Sequence, residues 1–578
     1  MFSKYYQSEL TYLRELGHEF AEANPSLAKA FSDRAGDPEV ERLLEGFAFL
    51  TARIRERIDD ALPEVIDALG ELVVPQLFRQ IPACSIVQFS PNATAIRGHY
   101  QVAASTRMAT RPIHGTKCQF RTVAPTDLLP IRLKECALDP STESRPKIRL
   151  RFQNEGGVRW PEHGRLRFFI DGPLGLASTV VCWLAEHLRA AELESNGQTH
   201  LLAGSVSLSG IGTELQMLPW AETVPEGLRL MQEYFTLPDK LMFVDLGGFD
   251  ALPEDAVGES FDIVFHFEDP PKLPQRLTAD LFRIHCVPVV NLFDADAAPV
   301  THSPASHEHL IRTLNGDSHN TEVYEVRSVT GIENRGADRV EYRPFFSFTH
   351  LSKPRDEQGY YSTRRVRSPL DNALDTYLTV LTPADTPPDL SERVLSIELT
   401  CTDRNLPNEL RPGDICERTS GSPTVAGFRN ITRVTRPARP SVGAEKHWRL
   451  VSHLALNTRA VSDPEILRAL LDHYNVHEEA DQQLYEANRL RIASIRSVDT
   501  ARERRVFNRV PMFGLHTEVE IDESGFAGVG DAYLFGCALQ KLMVSESPIN
   551  CFHRMTLTLY PSQKRLAWKA ETGTQRLL

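Results

Sequence analysis

Lys147-Ile148-Arg149-Leu150-Arg151-Phe152 alternates charged and apolar residues without a break. Successive side chains of a strand point to opposite faces, so this period of two predicts a β-strand with one dry and one wet face, the usual arrangement of an antiparallel sheet. Outward from it, Ser85–Phe89, Thr116–Val123, Arg165–Ile170 and Phe261–Phe267 predict further strands between Gly-, Pro- and Asp-rich breaks. Ile284–Phe293 is almost continuously apolar, carries one Asn, and is expected as a single strand. A second β region includes Leu395–Thr402 and His447–Asn457, and the last domain holds Thr517–Ile521 and a final strand around Met555–Tyr560. Segments 300–320 and 353–368 are polar and are expected as exposed loops.

Helical patterns flank these strands. Asp37-Pro38 opens the clearest, with a capping carboxylate before a residue preset for the first turn. Apolar residues follow at Val40, Leu43, Phe47, Leu50, Ile54 and Ile58, a spacing of 3.6 over 18 residues. An earlier helix carries Tyr6, Leu10, Leu13, Gly17 and Phe20. Such helices gain most of their stability from tertiary packing, so both stripes require burial, in this chain or against another. Shorter helices are expected over Glu64–Val74, Ala177–Ala191, Asp463-Pro464 to Tyr474, and Ala532–Val544.

The fold class is therefore α+β and multidomain, a helical N-terminal segment followed by several mainly antiparallel β-rich domains with inserted helices. The expected boundaries are 1–82 (helical segment), 83–200 (β-rich with a helix), 201–385 (central β-rich), 386–493 (second β region with a helix) and 494–578 (C-terminal α+β). With 578 residues, 41% hydrophobic and 24% charged, the composition is that of a soluble globular protein. No membrane span and no signal-peptide core is evident, which predicts a cytoplasmic location without direct membrane insertion. A net charge of −13 argues against nucleic acid. The nine cysteines lack C-x-x-C spacing, and buried free thiols such as Cys182 and Cys286 are expected.

Motifs for chemistry are absent. No Walker A loop, G-x-S-x-G elbow or H-E-x-x-H helix occurs. His307-Glu308-His309 is a weak metal motif in a polar loop. Gly528 and Gly530 precede a helix, but position 533 is Tyr, and with no βαβ unit expected the stretch reads as a tight turn rather than a nucleotide loop. Asp59-Asp60 and Asp294/Asp296 assign no acid and base roles. Seven arginines between Arg489 and Arg509 suit a solvated helix face or an acidic protein partner, and Arg433, Arg436 and Arg439 are read the same way. No catalytic residue, cofactor site or metal site is assigned.

Several blocks together resemble the TssF family, baseplate subunits of the bacterial type VI secretion system. They are Tyr5-Tyr6-x-x-Glu9-Leu10-x-Tyr12-Leu13-Arg14-Glu15-Leu16-Gly17 and Asp37-Pro38-x-Val40-Glu41-Arg42-Leu43-Leu44-Glu45-Gly46-Phe47. Mid-chain come Arg229-Leu230-Met231-Gln232-Glu233-Tyr234-Phe235-x-x-Pro238-x-Lys240 and Pro288-Val289-Val290-Asn291-Leu292-Phe293. Cys401-Thr402-x-Arg404-x-Leu406-Pro407, Trp448-Arg449-Leu450-x-Ser452-His453, Phe526-Ala527-Gly528-x-Gly530-Asp531 and Asn550-x-Phe552 complete the ordered set. The family commonly has Asn where this chain has Asp403. The resemblance implies a structural wedge subunit, two copies with one TssG, joined to TssK and TssE around the VgrG hub and docked at the cytoplasmic side of the inner-membrane complex. It implies partner helices for the N-terminal stripes and a role in transmitting the contraction trigger. Interface candidates are Tyr6, Leu10, Leu13, Val40, Leu43, Phe47, Leu50, Ile54, Ile58, Tyr234, Phe235 and Trp448; for the last three, burial in their own domain is the competing expectation. Asn291 is expected to be a hydrogen-bonded core residue. The rival classes are a contractile phage tail wedge protein and a β-rich carbohydrate-active enzyme.

Overall fold

The computed structural model describes residues 75–440 and 462–574, apart from short internal segments (97, 140–144, 159, 161–163, 205, 221–223, 254–255, 273–276, 303–307, 315–319, 334–337, 346–358, 369–370, 372, 382–392 and 508–509). Before residue 75 it describes Tyr6, Leu10, Arg42 and 45–51, all helical. The chain divides into two compact units, Met1–Val73 with Val442–Trp448, and Val74–Ser441 with Arg449–Leu578.

The larger unit is built of mainly antiparallel sheets, as the alternating segments require. Lys147–Asn154 is a strand between Ser260–Phe267 and Ile131–Asp139 in a five-stranded sheet. Its dry face is Ile148, Leu150 and Phe152, all fully buried. Its wet face is a ladder of charges, with Arg149 Nη1 donating to Asp262 (2.8 Å) and Arg151 Nε donating to the same carboxylate (3.1 Å). Phe152 stacks on Phe261 at 5.2 Å and lies 6.5 Å from Phe168 of a four-stranded sheet. Phe168 meets Phe265 and Phe282 edge-on, so the two sheets share one aromatic core.

The apolar stretch expected as one strand over Ile284–Phe293 is broken twice. Phe282–Ile284 joins the four-stranded sheet, Cys286–Val290 a six-stranded sheet, and Phe293–Asp296 an eight-stranded sheet. The first break is His285, held at φ 61°, a left-handed conformation uncommon outside Gly and Asn. The second is Asn291, whose N–H makes the last bond in register with the preceding pairing, to Ala83 O, before its side chain turns to Asp403 and the chain leaves that sheet. One segment therefore feeds three sheets, and continuous hydrophobicity concealed the switches because every sheet needs a buried strand.

Sheet partners come from far apart in the chain. Cys84–Pro91 pairs with both Cys286–Val290 and Ala426–Asn430, and Lys147–Asn154 pairs with Ser260–Phe267. The expected boundaries at 200 and 385 thus fall inside shared sheets, a pairing that period-two patterns do not encode. The helix expected over Ala177–Ala191 runs Leu174–Cys182, continues as a π turn Trp183–His187, and becomes strand at Leu188, where pairing with Ser260–Phe267 prevails over helical periodicity. The polar segment 353–368 contains a nine-residue strand, Gly359–Arg367, paired with Leu374–Leu381. Pro75, expected to end a helix, is itself helical, in the turn Pro75–Phe78; the residues just before it lie outside the described ones. Asp463 caps Pro464–Tyr474 as expected, accepting from the N–H groups of Glu465 and Ile466.

The C-terminal region contains a unit that the sequence reading excluded. Val510–Asp522, the helix Val529–Ser545 and Cys551–Tyr560 form a strand–helix–strand crossover whose strands are parallel. Its helix packs on Glu226–Thr236 and Leu174–Cys182, so residues 494–578 do not stand apart from the preceding sheets. All nine cysteines are free, and Cys182 and Cys286 are buried.

Candidate functional site

The mid-chain block and the late glycine block converge in one buried polar junction. Glu226–Thr236 presents Glu233, which forms an ion pair with Lys240 at 1% exposure for each residue. Glu233 Oε1 also accepts from the N–H groups of Met217 (2.8 Å) and Leu218 (3.3 Å), satisfying lone pairs that burial would otherwise strand. On the next position, Tyr234 is fully buried, with the Arg491 guanidinium 5.6 Å from its ring centroid and its hydroxyl 3.5 Å from Asp531. Asp531 Oδ2 accepts from Arg491 (3.3 Å) and from Ala527 N–H (3.0 Å). Asn488 Nδ2 donates to Phe235 O (3.0 Å), and His477 lies 3.2 Å from Thr236 Oγ1. Burial draws the His477 pKa down to about 4, so the ring is neutral near pH 7.

Glycines make the close approach possible. A Cβ on Gly530 would lie 2.3 Å from Ser178 C and Thr179 N, and one on Gly227 would lie 2.3 Å from Leu542 Cα. These are backbone atoms and cannot turn aside. Gly530, in the first turn of Val529–Ser545, and Gly227, in Glu226–Thr236, thus serve helix packing, whereas Gly528 before the helix is held at φ 150° with open space where a Cβ would lie. The carboxylate of Asp531, inside the first turn, already takes the N–H of Ala527 and the Arg491 guanidinium. A parallel crossover is present, but its glycine turn is filled by the protein itself.

A second junction fixes the point where the chain passes into the eight-stranded sheet. Asn291 Nδ2 donates to Asp403 Oδ2 (2.6 Å) and Gln119 O (2.8 Å), while Asp403 N–H donates to Asn291 Oδ1 (2.9 Å). Gln119 N–H also donates to Asp403 Oδ2 (2.7 Å). Asn291 is the satisfied core residue its setting demanded. Burial pushes the Asp403 carboxyl up to about 6, against the lowering effect of those two donors. Beside it, Arg404 Nη2 donates to Asp371 Oδ1 (2.7 Å), and Arg439 grips Glu322 through Nη2 (2.6 Å).

Tyr234 and Phe235, expected among partner-facing residues, are at 0% exposure and belong to this chain's core. Their aromatic area is consumed by Phe535 and Arg491, which come from some 250 to 300 residues downstream and could not be foreseen from local spacing. Phe47 and Leu50 are each 59% exposed, with Ala48 at 0% between them. Tyr6 and Leu10 are half-buried. Leu13, Val40, Leu43, Ile54, Ile58 and Trp448 lie outside the described residues, as do Asp59, Asp60, the helix expected over 64–74 and the strand expected over 447–457.

The residues screened for chemistry are engaged elsewhere. His307 lies outside the described residues; Glu308 accepts from Arg364 Nε (2.8 Å), and His309 faces His302 with ring nitrogens 3.0 Å apart. Asp294 pairs with Arg107 (3.2 Å) and Arg327 (3.0 Å). A cavity of about 260 Å³ lined by Arg132, Glu155, Arg283 and His285 has its charges in pairs, Arg132 with Glu155 (3.2 Å) and Arg283 with Asp171 (2.8 Å). His285 Nε2 accepts from Leu129 N–H (3.1 Å), and burial draws its pKa to about 3. Among the described residues no three His, Cys, Asp or Glu side chains are grouped to hold a metal ion, and no helix is long and apolar enough to cross a membrane.

Comparison with known proteins carries the rest. The curated type VI secretion system component TssF1 of Pseudomonas aeruginosa is 26% identical over 634 aligned positions, covering 99% of this chain and 98% of that protein. A chain of the TssK-TssF-TssG baseplate subcomplex, solved by cryo-electron microscopy, superposes with a TM-score of 0.77 at 30% identity, covering 93% of this chain and 99% of that one. A chain of the type VI secretion system baseplate complex gives 0.63 at 25% identity over 100% of both. The TssF family model matches residues 1–575, and the chain therefore belongs to the TssF family, as a baseplate subunit of a type VI secretion system.

Proposed function

We propose that this subunit works as a non-enzymatic wedge component, joining a TssG-type subunit, a TssK-type subunit and a second copy of itself through its N-terminal helices. The observation that carries this reading is the stripe position of Phe47 and Leu50: both are largely exposed in the single chain, while the neighbouring Ala48 is fully buried. Residues 47 and 50 share a helix face, so their exposure leaves apolar area that a partner helix would cover. The reading is further supported by the subcomplex in which the relative of 30% identity was solved. Contacts to a TssE-type subunit and a VgrG-type hub, and docking at the cytoplasmic side of the inner-membrane complex, belong to the same proposal. In the wedge, buried junctions such as Glu233–Lys240 keep the large unit rigid, so that rearrangement is confined to interfaces and contraction is triggered there.

The test is co-expression with the TssG-type protein encoded beside it, followed by mass measurement of the purified complex. Two copies per TssG-type subunit are expected. A Phe47→Asp/Leu50→Asp variant should purify folded and alone. A wild-type chain that stays monomeric in the presence of the TssG-type protein would overturn the proposal.

A further inference from the structure

The hairpin Ile495–Phe507/Val510–Asp522 extends past the sheet that supports it. The parallel neighbour Cys551–Tyr560 begins opposite Phe513, so residues 510–512 have no strand partner on that side among the described residues. Among the described residues Ile495–Phe507 is the outer strand of its sheet, with one row of its backbone N–H and C=O groups outside the ladder. Near its base one face is core, with Val498, Val519 and Ile521 buried. By the two-residue period the same face continues through Arg502, Arg504 and Val506 on one strand and Leu515, Phe513 and Pro511 on the other. There it emerges from cover: Val506 is 72% and Phe513 65% exposed.

The charge of this distal half is one-sided. Among the described residues Arg502 and Arg504 have no carboxylate partner; Arg504 lies over the Phe513 ring at 5.5 Å. On the opposite face Arg505 and Arg554 share the single carboxylate of Glu503. A concentration of guanidinium groups in a chain of net charge −13 is a local selector of anionic partners. Open edge, alternating arginines and exposed apolar tip fit one occupant.

We propose that the distal strands of the hairpin, residues 500–507 and 510–513, dock an extended acidic segment of a partner protein, which adds as a strand along the edge Thr500–Phe507. Carboxylates on one face of that segment meet Arg502 and Arg504, and its apolar residues cover Val506 and Phe513; main-chain hydrogen bonds supply affinity and the arginines specificity. Naming a protein as the occupant rests on the assembly reading above, but the geometry does not involve the N-terminal helices.

The test uses the full-length chain and a fluorescent heptapeptide alternating Glu and Val, with a Lys/Val peptide as its counterpart. Wild type should bind the Glu peptide, with amide exchange slowed at residues 500–507. Arg502→Glu/Arg504→Glu should weaken that binding by about tenfold or more and favour the Lys peptide instead. If wild type binds neither peptide, binds both alike, or is protected elsewhere in the chain, the proposal is overturned. Co-purification with the TssG-type subunit reports separately on the assembly reading, so the two can fail independently.

Discussion

The Glu233–Lys240 junction and the Phe47/Leu50 helix carry equally strong sequence patterns and end in opposite environments. Both are helical, both contain aromatic residues beside charges, and both were candidates to meet a partner chain, with burial in this chain as the competing expectation. The first is entirely internal, closed over by Asp531, Arg491 and Phe535 from the C-terminal helices. The second keeps its large apolar residues in solvent while burying an alanine. An apolar period states that a face must be covered. It carries no information about the identity of the cover, because covering by one's own chain and by another removes the same area from water.

That contrast can be broken by mutation, and the largest effect belongs to the junction. Glu233→Ala leaves the Lys240 ammonium buried without its counter-charge, a loss of about 3–5 kcal/mol. Thermal unfolding of the purified chain should show the transition lowered by many degrees, or no soluble protein at all; a near-wild-type transition would show that water or another group replaces the carboxylate. The double change Glu233→Gln/Lys240→Met should recover much of the loss. Gly530→Ala comes next, at about 2–3 kcal/mol, because its methyl would meet the backbone of Ser178 and Thr179 and force Val529–Ser545 away from Leu174–Cys182.

Asp403→Asn should move stability the other way. The folded carboxyl titrates near 6, above the usual carboxylate value near 4, so the native state holds a proton that the unfolded chain releases. Stability contributed by the neutral form is present below about pH 4, is lost as pH rises toward 6, and stays lost at pH 7.5. Asn is neutral throughout and can accept from Gln119 N–H and Asn291 Nδ2 through one oxygen. The variant should gain about 2 kcal/mol at pH 7.5 and nothing at pH 4. His285 and His477 contribute in the opposite sense: buried neutral, they take away stability as pH falls from about 6.5 toward 4. Their effect is common to both proteins and cancels in the difference, so a pH-independent gain would refute the Asp403 account.

The smallest effect on folding is expected at the exposed stripe. Phe47→Asp/Leu50→Asp should change the thermal transition of the isolated chain by only about 0.5 kcal/mol, as surface changes usually do. Its consequence should appear in co-purification instead. A large loss of stability there would make the stripe part of this chain's own core and erase the distinction between the two regions.

Legibility varied with the range of the interaction. The wet-faced strand at Lys147–Phe152, the capped helix at Pro464–Tyr474 and the buried thiols were all readable, because each depends on residues a few positions apart. The break at His285 was not, since the left-handed turn leaves no local mark other than a histidine in an apolar run. The crossover around Val529–Ser545 was rejected although both its strands and its helix were expected, because the parallel pairing of those strands leaves no local mark; the arginines at 502–505, read as a solvated helix face or a site for an acidic protein partner, lie on a strand. The family blocks were recognisable one by one, but not that Glu233, Tyr234, Arg491 and Asp531 meet in one place.

Period and capping chemistry are local, and so the order of residues alone established strand character, helix character, the lack of catalytic motifs and the family. Which strands share a sheet, which glycines admit a neighbouring backbone, and which aromatics are spent inside the chain depend on contacts across hundreds of residues. Those contacts are chosen by the summed burial of whole faces, a quantity that no single segment contains. Only the folded chain could therefore separate Tyr234 and Phe235, which are already covered, from Phe47 and Leu50, which still require it.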